Sequence, residues 1–385
     1  MSKSKTSIVF TGDIGFDRYM DKRWEDDNLL SPDVLAFFHS ADHVVANVEG
    51  AVISPEEAGT AGEFVHYMDP AVTGVLRAMH TDIWAIGNNH IMDAGEAGLV
   101  SSRRIAAGMG CQTIGAGLNL EEASQPAYLP EAGGIGIFNV THVVKRQATD
   151  TTPGVLNWGN WPWIQRRIDE IKQKCRWCVV VCHGGEEFTS LPSPYTRDRY
   201  ISFLDMGADV VVGHHPHVTE NYELFEDGKA IFYSLGNFIF DTNYQRAHLY
   251  TDMGVLLKLI FTEDKLEFEA MGIQIVRGDE RIDEGPLPDV FTNIAAEEYD
   301  LLAPLAAKAF VAEEKRRMIY LEPQRFTDAS QAAWDAYFFS TEPEGYVEGV
   351  HMDFNIMLPY ARTADEGAWK QSKLEAVKQY LLAQL

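Results

Sequence analysis

The sequence predicts a layered α/β (α+β) fold with a polar site along one sheet edge, followed by a helical C-terminal extension. Three observations predict it. Over roughly the first two-thirds, short apolar runs rich in β-branched residues alternate with amphipathic runs of helical period. Polar residues follow five of the apolar runs, with glycine close by: Asp13, Glu49, Asn89-His90, His183, and His215 with His217. Beyond Val276 the composition shifts to Ala, Glu and Leu at helical spacing.

Taken in order, Ser7–Phe10 is a short strand ending in Thr11-Gly12-Asp13. Ser31 before Pro32 is a cap followed by proline at the first helical position, so a helix runs from Pro32 to His39. His43–Ala46 is a strand leading to Asn47-Val48-Glu49-Gly50, and Asp69-Pro70 repeats the cap signal for a helix to about Met79. Ile83–Ile86 is a strand that runs into Gly87-Asn88-Asn89-His90-Ile91-Met92-Asp93-Ala94-Gly95. A helix from Glu96 to Ala107 precedes strands near Cys111–Ile114 and Gly136–Val140. Trp161–Lys174 places Trp163, Ile164, Ile168 and Ile171 on one helical face and feeds the strand Cys178–Cys182. A helix from Tyr195 to Met206 then leads to the strand Asp209–Val212 and the turn Gly213-His214-His215-Pro216-His217. Ala230–Ser234 and two longer strands, Met253–Phe261 and Leu266–Val276, complete this part.

Composition narrows the function classes. The 385 residues are 46% hydrophobic and 23% charged, the profile of an ordinary globular chain of one large domain plus an appendage. A net charge of −25 argues against phosphate-backbone binding and against anionic membrane surfaces. It leaves an anionic substrate open, because bound divalent cations reverse the local field. No apolar run approaches the roughly 20 residues that span a bilayer, and Met1-Ser2-Lys3-Ser4-Lys5-Thr6 carries no hydrophobic signal region. A cytoplasmic location is the expectation. The four cysteines, Cys111, Cys175, Cys178 and Cys182, read as buried and inert. The Cys175/Cys178 pair closes a helix and opens a strand, whereas a redox pair opens a helix.

The residue types at the five strand ends define a chemistry. Asp13 and Glu49 are hard anionic oxygen donors, Asn89 offers an amide oxygen, and His183, His215 and His217 are nitrogen donors. This mixed set suits one or two divalent ions, Mn, Zn or Fe, rather than an iron–sulfur cluster. Pro216 keeps the histidine turn out of a helix, so that His215 and His217 aim at one point. Six donors exceed one tetrahedral site and suit two ions sharing a carboxylate, an arrangement that clamps a phosphoryl or similar group. His90 is placed to act as the acid that protonates a leaving group.

In order, Gly12-Asp13, Asn47-Val48-Glu49, Gly87 to Gly95, His183-Gly184-Gly185-Glu186-Glu187, Gly213 to His217 and Ser234-Leu235-Gly236-Asn237-Phe238 resemble the motifs of the CapA family. These are capsule, or poly-γ-glutamate, biosynthesis proteins of the calcineurin-like metallophosphoesterase superfamily. The resemblance spans about residues 7–276. It implies a four-layer α/β/β/α metallophosphatase-like sandwich with a dinuclear metal centre in the loops at one edge. It further implies Asp13 and His217 on the first metal, Glu49 bridging, and Asn89, His183 and His215 on the second. His90 matches the superfamily's catalytic histidine. Asp93 and Glu187 match family positions that orient the site or touch substrate, while Glu186 falls on a variable, solvated position. Two departures stand out. The superfamily's opening Asp-x-His is here Asp13-Ile14-Gly15, and its bridging Asp is Glu49. Both weaken the expectation of phosphatase activity more than that of metal binding.

The expected domains are 1–284, the metallophosphatase-like unit, and 285–385, a helical extension entered through Gly285-Pro286-Leu287-Pro288. Helices are expected at Val290–Arg317, Asp328–Phe338 and Ala364–Leu382. Three functions compete: a metal-dependent hydrolase of a phosphoester; amide or peptide chemistry, or epimerisation, on the same scaffold; and a non-catalytic component of polymer assembly. The expected partner is a small-molecule, peptide or polymer substrate, anionic in character, with no nucleic acid and no membrane span. Asn237 and His214 are expected to support the site rather than to act in it.

Overall fold

A computed structural model describes residues 4–58, 66–142, 146–321 and 372–385. Two mixed sheets face each other. The first runs, in spatial order, Arg281–Gly285, Leu266–Val276, Met253–Thr262, Lys5–Ile14, His43–Val48, Ile83–Ala85 and Gln112–Ile114. Its four strands from Lys5–Ile14 to Gln112–Ile114 are parallel, and the other three add antiparallel. Asn237–Ile239 joins it beside the end of Lys5–Ile14. The second sheet runs Tyr222–Leu224, Ala230–Phe232, Val210–His214, Trp177–His183, Ile135–Thr141 and Ala127–Leu129, parallel in its centre and antiparallel at both edges.

Strand alternation builds the layers. Ile8, Phe10, Val45, Val179, Val181, Val210, Val212, Leu257 and Leu259 share the core between the sheets. The intervening residues face outward to helices. Val9, Val44, Ala46 and Leu256 pack with Val34, Phe38, Leu76 and Leu99 on one side. Cys178, Val180, Cys182 and Val211 pack with Ile164, Ile168, Ile171 and Phe203 on the other. The outcome is the layered α/β fold that the alternation of apolar runs predicts, in the form of the α/β/β/α sandwich that the family resemblance implies.

The expected helices form close to their expected bounds: Pro32–His39, Gly95–Gly108, Trp161–Lys174 and Pro194–Asp205. Ser31 accepts from the Val34 N–H and Ser193 from the Thr196 N–H, so the two Ser-Pro starts are true caps. The helix expected after Asp69-Pro70 is a 3-10 turn, Pro70–Val72, continued by the α-helix Thr73–Ala78.

The chain past Val276 begins differently from the expectation. Arg281–Gly285 is a strand that pairs with Leu266–Val276, so the first sheet continues to the residue where the linker was expected to start. Helices then occupy Ala296–Leu321 and Ser372–Gln384. They pack on each other through Leu302, Ala306, Ala309, Leu374, Val377 and Leu381, together with Leu191 from the first unit. The helix expected at Asp328–Phe338 lies outside the described residues, as does the start of the one expected at Ala364. Among the described residues no helix is long and apolar enough to cross a membrane.

Candidate metal centre

The parallel registers bring the strand ends together. Asp13 stands opposite Asn47 on one neighbour and Asn237 on the other, and His183 stands opposite His214. Two polar bridges fix one sheet edge against the other. His214 Nε2 is hydrogen-bonded to the Thr11 carbonyl (2.8 Å). Asn139, from the second sheet, receives the Gly87 N–H (2.7 Å) and donates to the Gly87 and Val181 carbonyls (both 3.2 Å). A methyl on Gly87 would lie 2.6 Å from Asn139 Oδ1, so this bridge requires glycine.

Side chains then converge on Glu49. Its Oε1 lies 3.6 Å from His183 Nε2, 3.8 Å from His217 Nε2 and 4.0 Å from His90 Nε2. Asp13 Oδ2 lies 3.3 Å from His217 Nδ1, while Asp13 Oδ1 accepts from Asn47 Nδ2 (2.7 Å). Asn89 Oδ1 lies 3.0 Å from His183 Nε2. The His215 ring centroid is 5.0 Å from that of His183 and 6.1 Å from that of His217. Asp13, Glu49, His183, His215 and His217 are all buried. His215 and His217 both have positive φ, 100° and 59°, flanking Pro216. Non-glycine residues held there cost about 1–3 kcal/mol each, a strain that persists where surrounding structure fixes it.

The electrostatics follow from burial among imidazoles and carboxylates. Burial holds the Glu49 carboxyl well above its ordinary range, with His217 opposing and Asp13 and Glu187 adding. Burial pushes the His183 imidazole well below its ordinary value, and the neighbouring imidazoles His215, His214 and His217 add to this. Burial opposes charge on Asp13 too and is the largest single influence, but the hydrogen bond with His217 together with the charges of His217, His214 and His215 outweighs it and the carboxyl is lowered. His217 is raised to about 10: burial works against its charge, and Glu49 and Asp13 more than offset that.

This donor set fits divalent ions. Two groups of three donor atoms, each within 4.8 Å of one another, share one residue: Glu49 with His215 and His217, and Glu49 with Asp13 and His183. Both Glu49 oxygens are buried without a hydrogen-bond partner. A buried carboxylate with no donor on either oxygen is costly unless a cation sits against it. Glu49 is the residue common to both groups. One group adds His215 and His217 to Glu49, and the other adds Asp13 and His183.

Around the donors sit the other expected residues. His90 Nδ1 is hydrogen-bonded to Asp93 Oδ2 (2.9 Å), with the Asp93 side chain fully buried, so Asp93 orients His90. Glu187 Oε2 accepts from the Tyr244 hydroxyl (2.9 Å), and its Oε1 lies 3.9 Å from His215 Nε2. Asn237 Oδ1 lies 2.9 Å from His217 Nδ1, and its amide donates to the Thr251 carbonyl, so it sets that ring's orientation.

Glu186 departs from the expectation of a solvated residue. It is 1% exposed and receives the Ser193 N–H, the Ser193 hydroxyl and the Thr196 hydroxyl. The helix cap at Ser193 folds back onto it, a contact no local pattern announces. Three further residues at the site lie outside the expected set. Asn88 accepts from Gly50, His90 and Ile91 N–H and donates to the Val48 carbonyl, which locks the Asn89-His90 loop to the chain on either side of Glu49. Asp17 and His66 form a hydrogen-bonded pair whose imidazole lies against His90. An Asp shortly after the first strand was a visible signal for Asp17; nothing in the sequence marks His66.

Residues 7–242 match the family model for the bacterial capsule synthesis protein PGA_cap. The chain is 33% identical over 248 residues to the PGA biosynthesis protein CapA of Bacillus subtilis, covering 62% of this chain and 64% of that one. It is 28% identical over 256 residues to the capsule biosynthesis protein CapA of Bacillus anthracis, covering 63% and 61%. The matched stretch thus spans less than two thirds of either relative's length. With the ordered motifs and the strand-end donor cluster, the family match over more than half of its length makes this chain a member of the bacterial capsule synthesis (PGA_cap) family.

Proposed function

We propose that this protein is a metal-dependent hydrolase acting on a phosphoester or related anionic group, in capsule or poly-γ-glutamate metabolism. The observation that carries the reading is Glu49, which belongs to both donor groups and has no hydrogen-bond partner on either buried oxygen. Asp13, Glu49, His183, His215 and His217 would hold one or two ions, Mn, Zn or Fe by donor type, and Asn89 reaches the same cluster through His183. Bound there, divalent ions supply Lewis-acid polarisation of the substrate and neutralise its charge.

The chain's own groups do the rest. His90 presents Nε2 towards the donor cluster, 4.0 Å from Glu49, with Nδ1 fixed by Asp93. In this reading His90 donates the proton to the leaving oxygen. Glu187, held by Tyr244 beside His215, lines the same approach. The relatives' names, PGA and capsule biosynthesis, point to a polymer or peptide rich in carboxylates as substrate. One observation favours a second reading, amide chemistry on such a polymer. Where the superfamily has a histidine, Gly15 lies under the Phe240 ring, 2.5 Å from where its Cβ would be, so the first ion would have one imidazole fewer.

The test is metal content of the purified chain together with turnover of an aryl phosphate and of a γ-glutamyl peptide in Mn²⁺. Aryl phosphate turnover that drops in His90→Ala while metal is retained supports the hydrolase. Peptide turnover with none of the phosphate selects the second reading. Metal bound without turnover of either overturns both.

A further inference from the structure

Two residues outside the family motifs meet at the mouth of the site. Asp17 is the N-cap of the single-turn 3-10 helix Arg18–Met20, yet its side chain caps nothing there. It is hydrogen-bonded instead to His66 Nδ1. His66 precedes the short strand Tyr67–Met68, which pairs with Ala51–Val52 shortly after Glu49 in the chain. Its ring centroid is 4.2 Å from that of His90. Its backbone N–H donates to Asp93 Oδ2 (3.1 Å), the same oxygen that holds His90 Nδ1 (2.9 Å). One buried carboxylate therefore positions both histidines. Phe240 closes the flank, 5.7 Å from the His66 ring and 4.9 Å from that of His217.

The two rings are alike in their attachments. Each has its Nδ1 edge taken by an aspartate, which sets the Nε2 edge as the one presented to a ligand. Their side chains are 24% and 21% exposed, whereas Asp13, Glu49 and His183 are shut away. The pair is thus what an entering molecule meets first. Two imidazoles with ring centres 4.2 Å apart are close enough for both to reach oxygens of one tetrahedral anion. In a chain of net charge −25, local donors are needed to admit such a group.

We propose that His66, held by Asp17, is a second substrate-contacting histidine, which together with His90 grips an oxygen-rich anionic group such as a phosphoryl at the mouth of the centre. This deepens the hydrolase reading by naming a specificity residue and the group it contacts. Asp17 acts through His66 as a positioning residue.

The experiment uses the full chain loaded with Mn²⁺ and inorganic phosphate as the probe, titrated calorimetrically against wild type, His66→Gln and Asp17→Asn, with metal content and melting temperature measured on each. His66→Gln is expected to bind phosphate at least about tenfold more weakly, the worth of one charge-assisted hydrogen bond, with metal content unchanged. Asp17→Asn is expected to weaken phosphate about threefold or more and to change the His66 tautomer population in long-range ¹H–¹⁵N spectra. Should His66→Gln fail to fold, Asp17→Asn decides by the same comparison. Phosphate affinity within twofold of wild type overturns the proposal, as does loss of metal alongside phosphate. Wild type that holds metal but no phosphate overturns it while leaving the metal reading intact. Wild type that takes up no metal defeats the hydrolase reading instead. The metal-free proteins titrated with phosphate then decide His66 by the same tenfold criterion.

Discussion

Gly213 sits one residue before the end of the strand Val210–His214, and replacing it with alanine tests how tightly the fold positions the histidine turn. An added Cβ would lie 1.8 Å from the Tyr233 carbonyl oxygen and 2.9 Å from the Tyr200 hydroxyl. Ordinary contact begins near 3.4 Å, so the strand and Tyr233 must separate by roughly 1.6 Å. The nearer obstacle, the Tyr233 carbonyl, is main chain, which no rotamer change relieves. Immediately downstream, His214 is tied to the Thr11 carbonyl and the His215 N–H to Asp13 Oδ2, so the shift passes into the donor cluster. Overpacking costs about 1–3 kcal/mol, here at the upper end. Moving site groups by more than an ångström costs on the order of 10²-fold in function. Gly213→Ala should therefore lower the melting temperature by roughly 5 °C or more and weaken Mn²⁺ binding at least about tenfold. Gly74→Ala is the control: in the helix Thr73–Ala78 with nothing within 4 Å of the new methyl, it should add up to about 1 kcal/mol. Circular-dichroism melts and metal titration report both. Gly213→Ala that melts with wild type and binds metal equally refutes the reasoning.

Asp93→Asn should keep metal content but lower turnover about 10²–10⁴-fold, because His90 loses the carboxylate that fixes its ring; steady-state kinetics with metal analysis check it. The cysteines should be inert in the native chain at pH 8. Burial pushes the Cys182 thiol up to about 12, Cys178 higher still, and Cys111 and Cys175 above their ordinary value. A thiol reagent should titrate all four only after denaturation. Glu220 has a buried oxygen without a hydrogen-bond partner, and burial, with Glu186 nearby, holds its carboxyl well above 4.5. Well below that ordinary value both folded and unfolded forms keep the proton and nothing is lost. As pH rises above it the unfolded chain ionises first and stability falls until the folded value is passed. Glu220→Gln should therefore gain stability over wild type as pH is raised from 4.5 to 7, read as diverging melting temperatures; parallel curves contradict this.

The donor cluster was legible because each member lies at or just past the end of an apolar run that announces a strand. Parallel pairing then aligns Ile14 with Val48 and His183 with His214, so strand ends in sequence become one edge in space. Cys182 was separable from His183 by the two-residue period alone, and it does face the helix layer with Val180. What escaped is what depends on returns of the chain. Glu186 is buried by a cap seven residues later, and His66 reaches His90 through a two-residue strand too short to carry a pattern. The strand Arg281–Gly285 escaped because Ile282 is its one apolar residue, as suits the edge of a sheet.

The account rests on Glu49 as the carboxylate shared by two groups of metal donors. Elemental analysis of wild type and Glu49→Gln after Mn²⁺ loading and desalting tests this most directly. The expected result is one to two ions per wild-type chain and less than half of that in the variant. Wild type without metal, or a variant that retains as much as wild type, contradicts it.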